Sequence, residues 1–213
     1  MSEHTDAADE RGGEACPWTE RESELLATTL ELLQEHGYDR LSVEAVATKA
    51  KASKATMYRR WPSKADLVLA AFIHGTRRSA VPPDTGSLRG DLMEMGRTTC
   101  TEACEHMRTM RAVLNEMSHN PGLQAVMQEQ FIRQRRRVFD AVLAAAVERR
   151  EISASAINDE IFDLLPGYLV FRALISDRPP TDETVRIVVD NVLLPSLKAQ
   201  SAVQLPSGSA TRS

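Results

Sequence analysis

Apolar residues recur three or four positions apart along most of this chain of 213 residues. Leu26, Leu30 and Leu33 are one example, and residues 185–193 contain another. Such spacing places side chains on one face of an α-helix. β-branched runs of strand length are scarce, whereas the helix formers Ala, Leu, Glu and Arg dominate. The pattern predicts an all-α fold of about nine helices.

Capping signals set the starts of the first and fourth predicted helices. Thr19 and Glu22 have the spacing of a capping box, and the helix that follows is expected to stop at Gly37. Ser63 and Asp66 repeat the capping-box pattern before another apolar run.

Two short helices are predicted between these longer ones. Ser42 begins one, and Ser53 begins another that ends at Arg60. The end is predicted there because Trp61 precedes Pro62, and a residue before proline is pushed out of the α-helical region. About three residues separate the two short helices, which is the spacing of a helix-turn-helix.

The predicted organisation has two folded parts between two tails. Residues 18–78 form a three- or four-helix bundle with the helix-turn-helix, and residues 79–198 form a C-terminal α-helical domain. Residues 1–17 and 199–213 are polar and are predicted to be disordered tails. The predicted C-terminal helices span residues 88–104, 107–118, 121–149, 155–176 and 181–198.

Charge changes this picture only locally. The formal net charge is −4, yet residues 40–64 contain seven Lys and Arg and a single acid, Glu44. A basic island of this kind suits a polyanion such as double-stranded DNA. The alternative is a solvated basic face over a buried Trp61.

A helix-turn-helix presents the first residues of its second helix to the DNA major groove. Lys54, Ala55 and Thr56 are therefore the predicted base contacts: Lys donates to guanine, Thr hydrogen-bonds to a base, and Ala contacts a thymine methyl group. Lys51, in the turn, receives no role. The other candidate DNA contacts, mostly to phosphates, are Ser42, Ser53, Tyr58, Arg59, Arg60 and Lys64.

No pattern supports catalysis, a cofactor or a bound metal. The chain has neither a glycine-rich phosphate loop nor a nucleophile elbow. Cys16, Cys100 and Cys104 cannot form a paired disulfide framework, which favours a reducing, cytoplasmic location. Cys100 and Cys104 lie one helical turn apart, but a soft-metal or redox site is disfavoured without a second ligand pair. No apolar run is long enough to cross a membrane.

The segment LSVEAVATKAKASKATMYRRWPSKADLVLAAF, residues 41–72, resembles the N-terminal domain of the TetR family of transcriptional regulators. The resemblance is specific over about residues 20–75. Ala55 stands where the family often has Gly, and Arg60 stands where His is common. The matching features are Gly37-Tyr38, Ser42, Tyr58, Trp61 and Ser63-Lys64.

The resemblance implies a homodimer that binds a palindromic operator and an effector that changes the spacing of the two recognition helices. Residues 155–176 and 181–198 are the candidate dimer helices, because their apolar faces are wide; alternatively, those faces pack only within their own subunit. Family habit favours repression over activation.

The effector is expected to be a small, mostly apolar molecule, since Met side chains adapt to loosely specific apolar ligands. The alternative for each pocket residue is an ordinary core position. For the whole chain, the alternatives to a regulator are an all-helical small-molecule-binding protein without DNA function and a helical enzyme. The candidate pocket residues are Met93, Met107, Met110, Met117, Phe131, Phe162 and Tyr168.

Overall fold

The computed structural model describes residues 17–176 and 178–202 of the chain. All regular structure in these residues is helical, which confirms the all-α prediction. Single π turns connect α6 to α7 and α9 to α10 without a break. The α-helices are α1 Glu20–Arg40, α2 Val43–Lys49, α3 Lys54–Arg60, α4 Lys64–Gly75, α5 Leu88–Met117, α6 Pro121–Val126, α7 Arg133–Glu148, α8 Asp159–Val170, α9 Asp182–Val188 and α10 Leu194–Ala202.

Both predicted capping boxes are present. The Thr19 N–H donates to Oε2 of Glu22 at 2.8 Å, and the Glu22 N–H donates to the Thr19 hydroxyl at 3.2 Å. Ser63 and Asp66 exchange the same two bonds at 3.0 and 3.1 Å. Local sequence therefore sets the starts of α1 and α4.

Several helix ends in the described part of the chain differ from the sequence prediction. α1 passes Gly37, whose φ of 75° makes a kink, and continues to Arg40. α4 ends at Gly75, before the predicted end of the bundle at residue 78, and a 3₁₀ turn follows it. α5 is a single helix where the sequence predicts two; the irregular residue is His106, with φ −113° and ψ 16°. Neither Gly nor Pro lies next to His106, so the helix bends there and is not terminated.

The predicted tails, residues 1–17 and 199–213, lie almost entirely outside the described residues. α10 nevertheless extends to Ala202, past the predicted boundary at residue 198. A proline inside a helix is expected to kink it, yet α8 runs through Pro166, and a π turn follows it at Phe171–Ile175.

Two clusters of buried side chains form the core. The first fills the N-terminal bundle, where Met57 and Trp61 of α3 and its C-cap are buried as expected for Trp61. This cluster also receives Val113 of α5 and Leu123 of α6, so the bundle packs directly on the C-terminal helices. The second cluster joins α5, α7, α8, α9 and α10 through side chains that include Leu92, Leu143, Leu169, Val189 and Leu197.

Candidate nucleic-acid interface and ligand cavity

The turn between α2 and α3 is a Schellman motif. The Ala52 N–H donates to the Ala47 carbonyl at 2.8 Å, and the Lys51 N–H donates to the Thr48 carbonyl at 3.2 Å. This motif requires a left-handed residue, and Lys51 occupies it with φ 51°. Lys51, which has no role in the sequence prediction, therefore has a backbone role.

Replacing Lys51 with Gly is expected to raise the free energy of unfolding by about 1 kcal/mol, because a non-glycine residue is strained in the left-handed region. Arg150→Gly is the matched control, because Arg150, after α7, also has a left-handed backbone with φ 61°. Chemical denaturation of Lys51→Gly and Arg150→Gly measures the free energy of unfolding of each. DNA affinity should stay unchanged; a lower salt dependence of DNA binding in Lys51→Gly alone would instead make Lys51 a phosphate contact.

The predicted base-contacting residues lie on the outer side of α3. Lys54, Ala55 and Thr56 are exposed, while Met57 is buried and Trp61 is only 5% exposed. These two buried side chains anchor α3 and leave its first turn facing solvent. Ser53 occupies the N-cap of α3 and is exposed, and within the described chain its side chain makes no capping bond to α3. The hydroxyl of Ser42, by contrast, caps α2 by accepting from the Ala45 N–H at 3.1 Å.

Two acids hold several of the predicted DNA-contacting side chains. Glu44 at the start of α2 lies 3.6 Å from Lys54 Nζ and accepts a hydrogen bond from the Tyr58 hydroxyl at 3.3 Å. Glu22 pairs with Nε of Arg60 at 2.5 Å. Glu44 stays ionised, because its own backbone N–H lowers the pKa of its carboxyl. These exposed pairs are weak enough to open when a phosphate approaches.

The two remaining predicted phosphate contacts differ in their surroundings. Arg59 is exposed on α3. Lys64 is half-buried: its Nζ donates to the Tyr38 carbonyl at 2.8 Å and lies 4.2 Å from the centre of the Tyr38 ring. Lys64 therefore also joins the start of α4 to the last turn of α1.

A cavity of about 670 Å³ lies between α4, α5, α7 and α8. Its walls are mostly apolar and include Phe72 near the end of α4, Phe139 of α7 and Leu169 of α8. This volume is in the range of pockets that enclose small organic molecules. Four of the seven candidate pocket residues line the cavity: Met107, Met110, Phe131 and Phe162.

The other three candidates lie elsewhere. Met93 is buried in the C-terminal core cluster, and Met117 packs against the N-terminal cluster. Tyr168 is 40% exposed on the outer side of α8, since six residues of helical rotation turn it away from Phe162. Apolar character alone does not tell a cavity wall from a core or surface position.

The polar groups of the cavity include an arginine that the sequence analysis missed. By its sequence, RQRRR at residues 133–137 is expected to be a solvated basic face with acidic partners. Arg133 fits this expectation, because it is exposed and pairs with Glu129 at 2.8 Å. Arg136 also pairs with an acid, Asp140 at 2.8 Å, but its side chain is partly buried. Arg135 instead faces inward and lines the cavity. Its spacing from Phe131 and Val138 places it on the apolar face of α7, a signal visible in the sequence.

Arg135 connects α7 to two other helices. Its Nη2 donates to the carbonyl of Thr76, the C-cap of α4, and lies 3.5 Å from Oε2 of Glu102 in α5. The guanidinium also lies 4.2 Å from the centre of the Phe131 ring. Burial lowers the pKa of Arg135 to about 10, so the group remains a cation at neutral pH.

Exposed apolar side chains form a stripe on the outer side of α8 and its π turn. Leu164, Tyr168, Phe171 and Ile175 are spaced four, three and four residues apart, and each is at least 38% exposed. Ile187 of α9 and Val192 of the next π turn are exposed as well. A contiguous apolar surface of this kind marks an interaction site.

The two described cysteines lie one turn apart on α5 and differ in exposure: Cys100 is buried and Cys104 is exposed. The Cys100 thiol donates to the Pro180 carbonyl at 3.2 Å, and burial raises its pKa to about 11, which disfavours the thiolate. Among residues 17–176 and 178–202, no group of three or more His, Cys, Asp or Glu side chains is placed to hold a metal ion. No helix in this described part is long and apolar enough to span a bilayer.

Comparison with known proteins matches both halves of the chain. A family model described as bacterial regulatory proteins, tetR family, matches residues 25–71, and a model for the tetracyclin repressor-like C-terminal domain matches residues 82–192. The uncharacterized HTH-type transcriptional regulator Rv1556 of Mycobacterium tuberculosis is 59% identical over 88% of this chain and 93% of its own length.

Two further proteins are similar over most of their length. The DNA-binding transcriptional repressor TetR of Mycobacteroides abscessus is 34% identical over 82% of this chain and 92% of its own. The crystal structure of the TetR family transcription regulator SCO0332 superposes with a TM-score of 0.71 at 30% identity, covering 84% of this chain and 98% of that one.

Proposed function

We propose that this chain, which belongs to the TetR family and is a DNA-binding transcriptional regulator, is a repressor that a small molecule releases from DNA. The operator is proposed to be palindromic and bound by a homodimer. Two relatives carry the word repressor in their names, which favours repression over activation. We propose no catalytic role. A transcriptional regulator that binds DNA would work in the cytoplasm.

The position of α4 carries this proposal. Its first residue follows α3 after a short turn, and its last turn contributes Phe72 to the wall of the cavity, with Thr76 just beyond. A ligand in the cavity therefore contacts the helix that directly follows the recognition helix in the chain. Such a ligand changes DNA affinity only if it binds the two positions of α4 with different affinities.

The proposed DNA contacts are those of the sequence analysis. Lys54, Ala55 and Thr56 would contact bases, and their exposure at the tip of α3 supports this assignment. The proposed phosphate contacts are Ser42, Ser53, Tyr58, Arg59, Arg60 and Lys64. The apolar stripe of Leu164, Tyr168, Phe171 and Ile175 supports dimerisation through the helical segments 155–176 and 181–198.

Footprinting on the DNA upstream of the protein's own coding sequence tests the proposal. We expect a protected site with dyad symmetry and two halves about one DNA turn apart. Affinity should fall steeply with salt, because phosphate contacts release counterions. Absent or salt-insensitive binding would contradict DNA function and favour the alternative of a small-molecule-binding protein.

Thr56→Ala is expected to change the preference at one base position of each half-site, at a cost of about 1–3 kcal/mol, because a base contact is lost. Selection from a randomised operator library measures this preference. A uniform loss of affinity for all sequences would mean that Thr56 does not contact a base.

Glu44→Gln is expected to increase affinity for non-specific DNA about threefold to tenfold, since it removes a negative charge beside Lys54 and frees that cation for a phosphate. The salt slope should rise by about 0.9 for the freed cation. Titration of labelled DNA at several salt concentrations measures both. Glu160→Gln, an exposed acid of α8, is the matched control and should change neither quantity.

A further inference from the structure

Arg135 is a charged residue in a mostly apolar cavity wall, and one of its nitrogen atoms lacks a hydrogen-bond partner in the described chain. Its Nη2 serves both the Thr76 carbonyl and Glu102, while its side chain is only 16% exposed. Nη1 is buried and has no hydrogen-bond partner anywhere in the described chain. A buried donor without a partner costs free energy, more so when it is part of a charged group.

The positive charge of Arg135 is compensated by an acid, whereas its hydrogen-bond donors are not all paired within the part of the chain that the structure describes. Glu102, only 5% exposed, supplies the compensating negative charge. A protonated guanidinium has five N–H donors, and those on Nη1 still need an acceptor. Because Nη1 itself has almost no exposed surface, the guanidinium has to turn toward the cavity to meet a ligand there. Such a ligand does not need a negative charge; it needs an oxygen lone pair.

The rest of the cavity selects an apolar molecule. Phe131 and Phe139 from one side and Phe162 from α8 leave little polar surface, and the acids Glu94 and Asp163 are exposed residues at its rim. We infer that the effector is an apolar molecule with one oxygen acceptor, a ketone, ester or hydroxyl, that takes the Arg135 guanidinium as its partner. The inference rests on the proposed function and defines the chemical class of its effector.

The hydrogen bond from Arg135 to Thr76 explains how such an effector acts on α4. Arg135 holds the carbonyl of Thr76, the residue that caps α4. An acceptor that draws the guanidinium into the cavity competes with this carbonyl, and it therefore releases the last turn of α4 from α7. Gly75 packs so tightly between α1 and α5 that a Cβ there would lie 2.6 Å from Leu30 of α1 and 3.0 Å from His106 of α5, so this end of α4 cannot shift without changing its contacts with both helices.

The test compares two probes of nearly equal shape, 2-acetonaphthone and 2-isopropenylnaphthalene, in which a C=CH₂ group replaces C=O. Equilibrium dialysis against the full chain gives their dissociation constants. We expect the wild type to bind the ketone about 10- to 100-fold more tightly, the range for a hydrogen bond to a charged donor. In Arg135→Met this ratio should fall to about one.

Two further variants keep the result interpretable. Arg133→Met, an exposed position two residues earlier on α7, should retain the preference for the ketone. Arg135→Met with Glu102→Gln removes the donor without leaving a buried carboxylate alone, so we expect this variant to fold and to bind the two probes equally. Equal binding of both probes by the wild type, a preference that survives Arg135→Met, or failure of both probes to bind would each overturn the inference.

A second measurement separates this inference from the proposed function. Saturating 2-acetonaphthone should weaken binding to the footprinted DNA in the wild type and leave Arg135→Met unaffected. Ketone binding through Arg135 that leaves DNA affinity unchanged would overturn the role of the Thr76 contact. Failure of the unliganded chain to bind DNA would contradict the proposed function alone, because the probe preference is measured without DNA.

Discussion

Phe171→Glu is expected to convert the protein to a monomer and to lower its operator affinity on the order of 10³-fold. Phe171 is 50% exposed at the centre of the stripe that runs from Leu164 to Ile175. In a two-fold dimer each substitution occurs twice, and a buried, unpaired carboxylate costs several kcal/mol. A monomer then binds one half-site alone and loses the gain from linked binding.

Analytical ultracentrifugation and DNA titration measure the two effects of Phe171→Glu separately. Leu114→Glu is the matched control: it places the same charge on a side chain that is 41% exposed on α5, outside the stripe. We expect this control to remain dimeric and to bind DNA. A dimeric Phe171→Glu variant would remove the outer side of α8 from the interface.

Trp61→Ala is expected to lower the free energy of unfolding by about 3–5 kcal/mol, the usual cost of deleting a buried Trp. Trp61 is 5% exposed and packs in the N-terminal cluster directly after α3. Its loss leaves a cavity under the recognition helix, so specific DNA binding should disappear as well. Denaturation followed by circular dichroism measures stability, and fluorescence of Trp18 reports on the same bundle.

Tyr58→Ala is the matched control for Trp61→Ala, because it removes an aromatic side chain three residues earlier, on α3, at a site that is 43% exposed. Its stability should stay close to that of the wild type. If Trp61→Ala unfolds at the wild-type denaturant concentration, Trp61 does not hold α3 in place, and a direct contact between this ring and DNA would become the better explanation.

The candidate nucleic-acid interface was the more predictable part of this protein, because its signals are local. The starts of α1 and α4 depend on capping residues three positions apart, and α3 runs from Lys54 to Arg60 as predicted. The prediction missed the acids that hold this surface, Glu22 and Glu44, since nothing in the sequence aligns Glu22 with Arg60, 38 residues away.

The cavity between α4, α5, α7 and α8 was less predictable, because apolar side chains satisfy a core, a cavity and an interface equally well. Met93, Met107 and Tyr168 share the same hydrophobic character, yet one is in the core, one lines the cavity and one faces outward. Helical periodicity identifies the face of a residue but not which helix will cover it.

The amino-acid sequence alone determined the helical class, the two capping boxes, the helix-turn-helix and the basic island on it, because each depends on residues within a few positions of one another. Only the tertiary structure decided that Lys51 supports a turn, that Arg135 lies inside a cavity, and that this arginine holds the end of α4. Arg135 and Thr76 are 59 residues apart in the chain. Contacts over such separations depend on how whole helices pack, and helix packing follows from shape and burial that no short segment specifies.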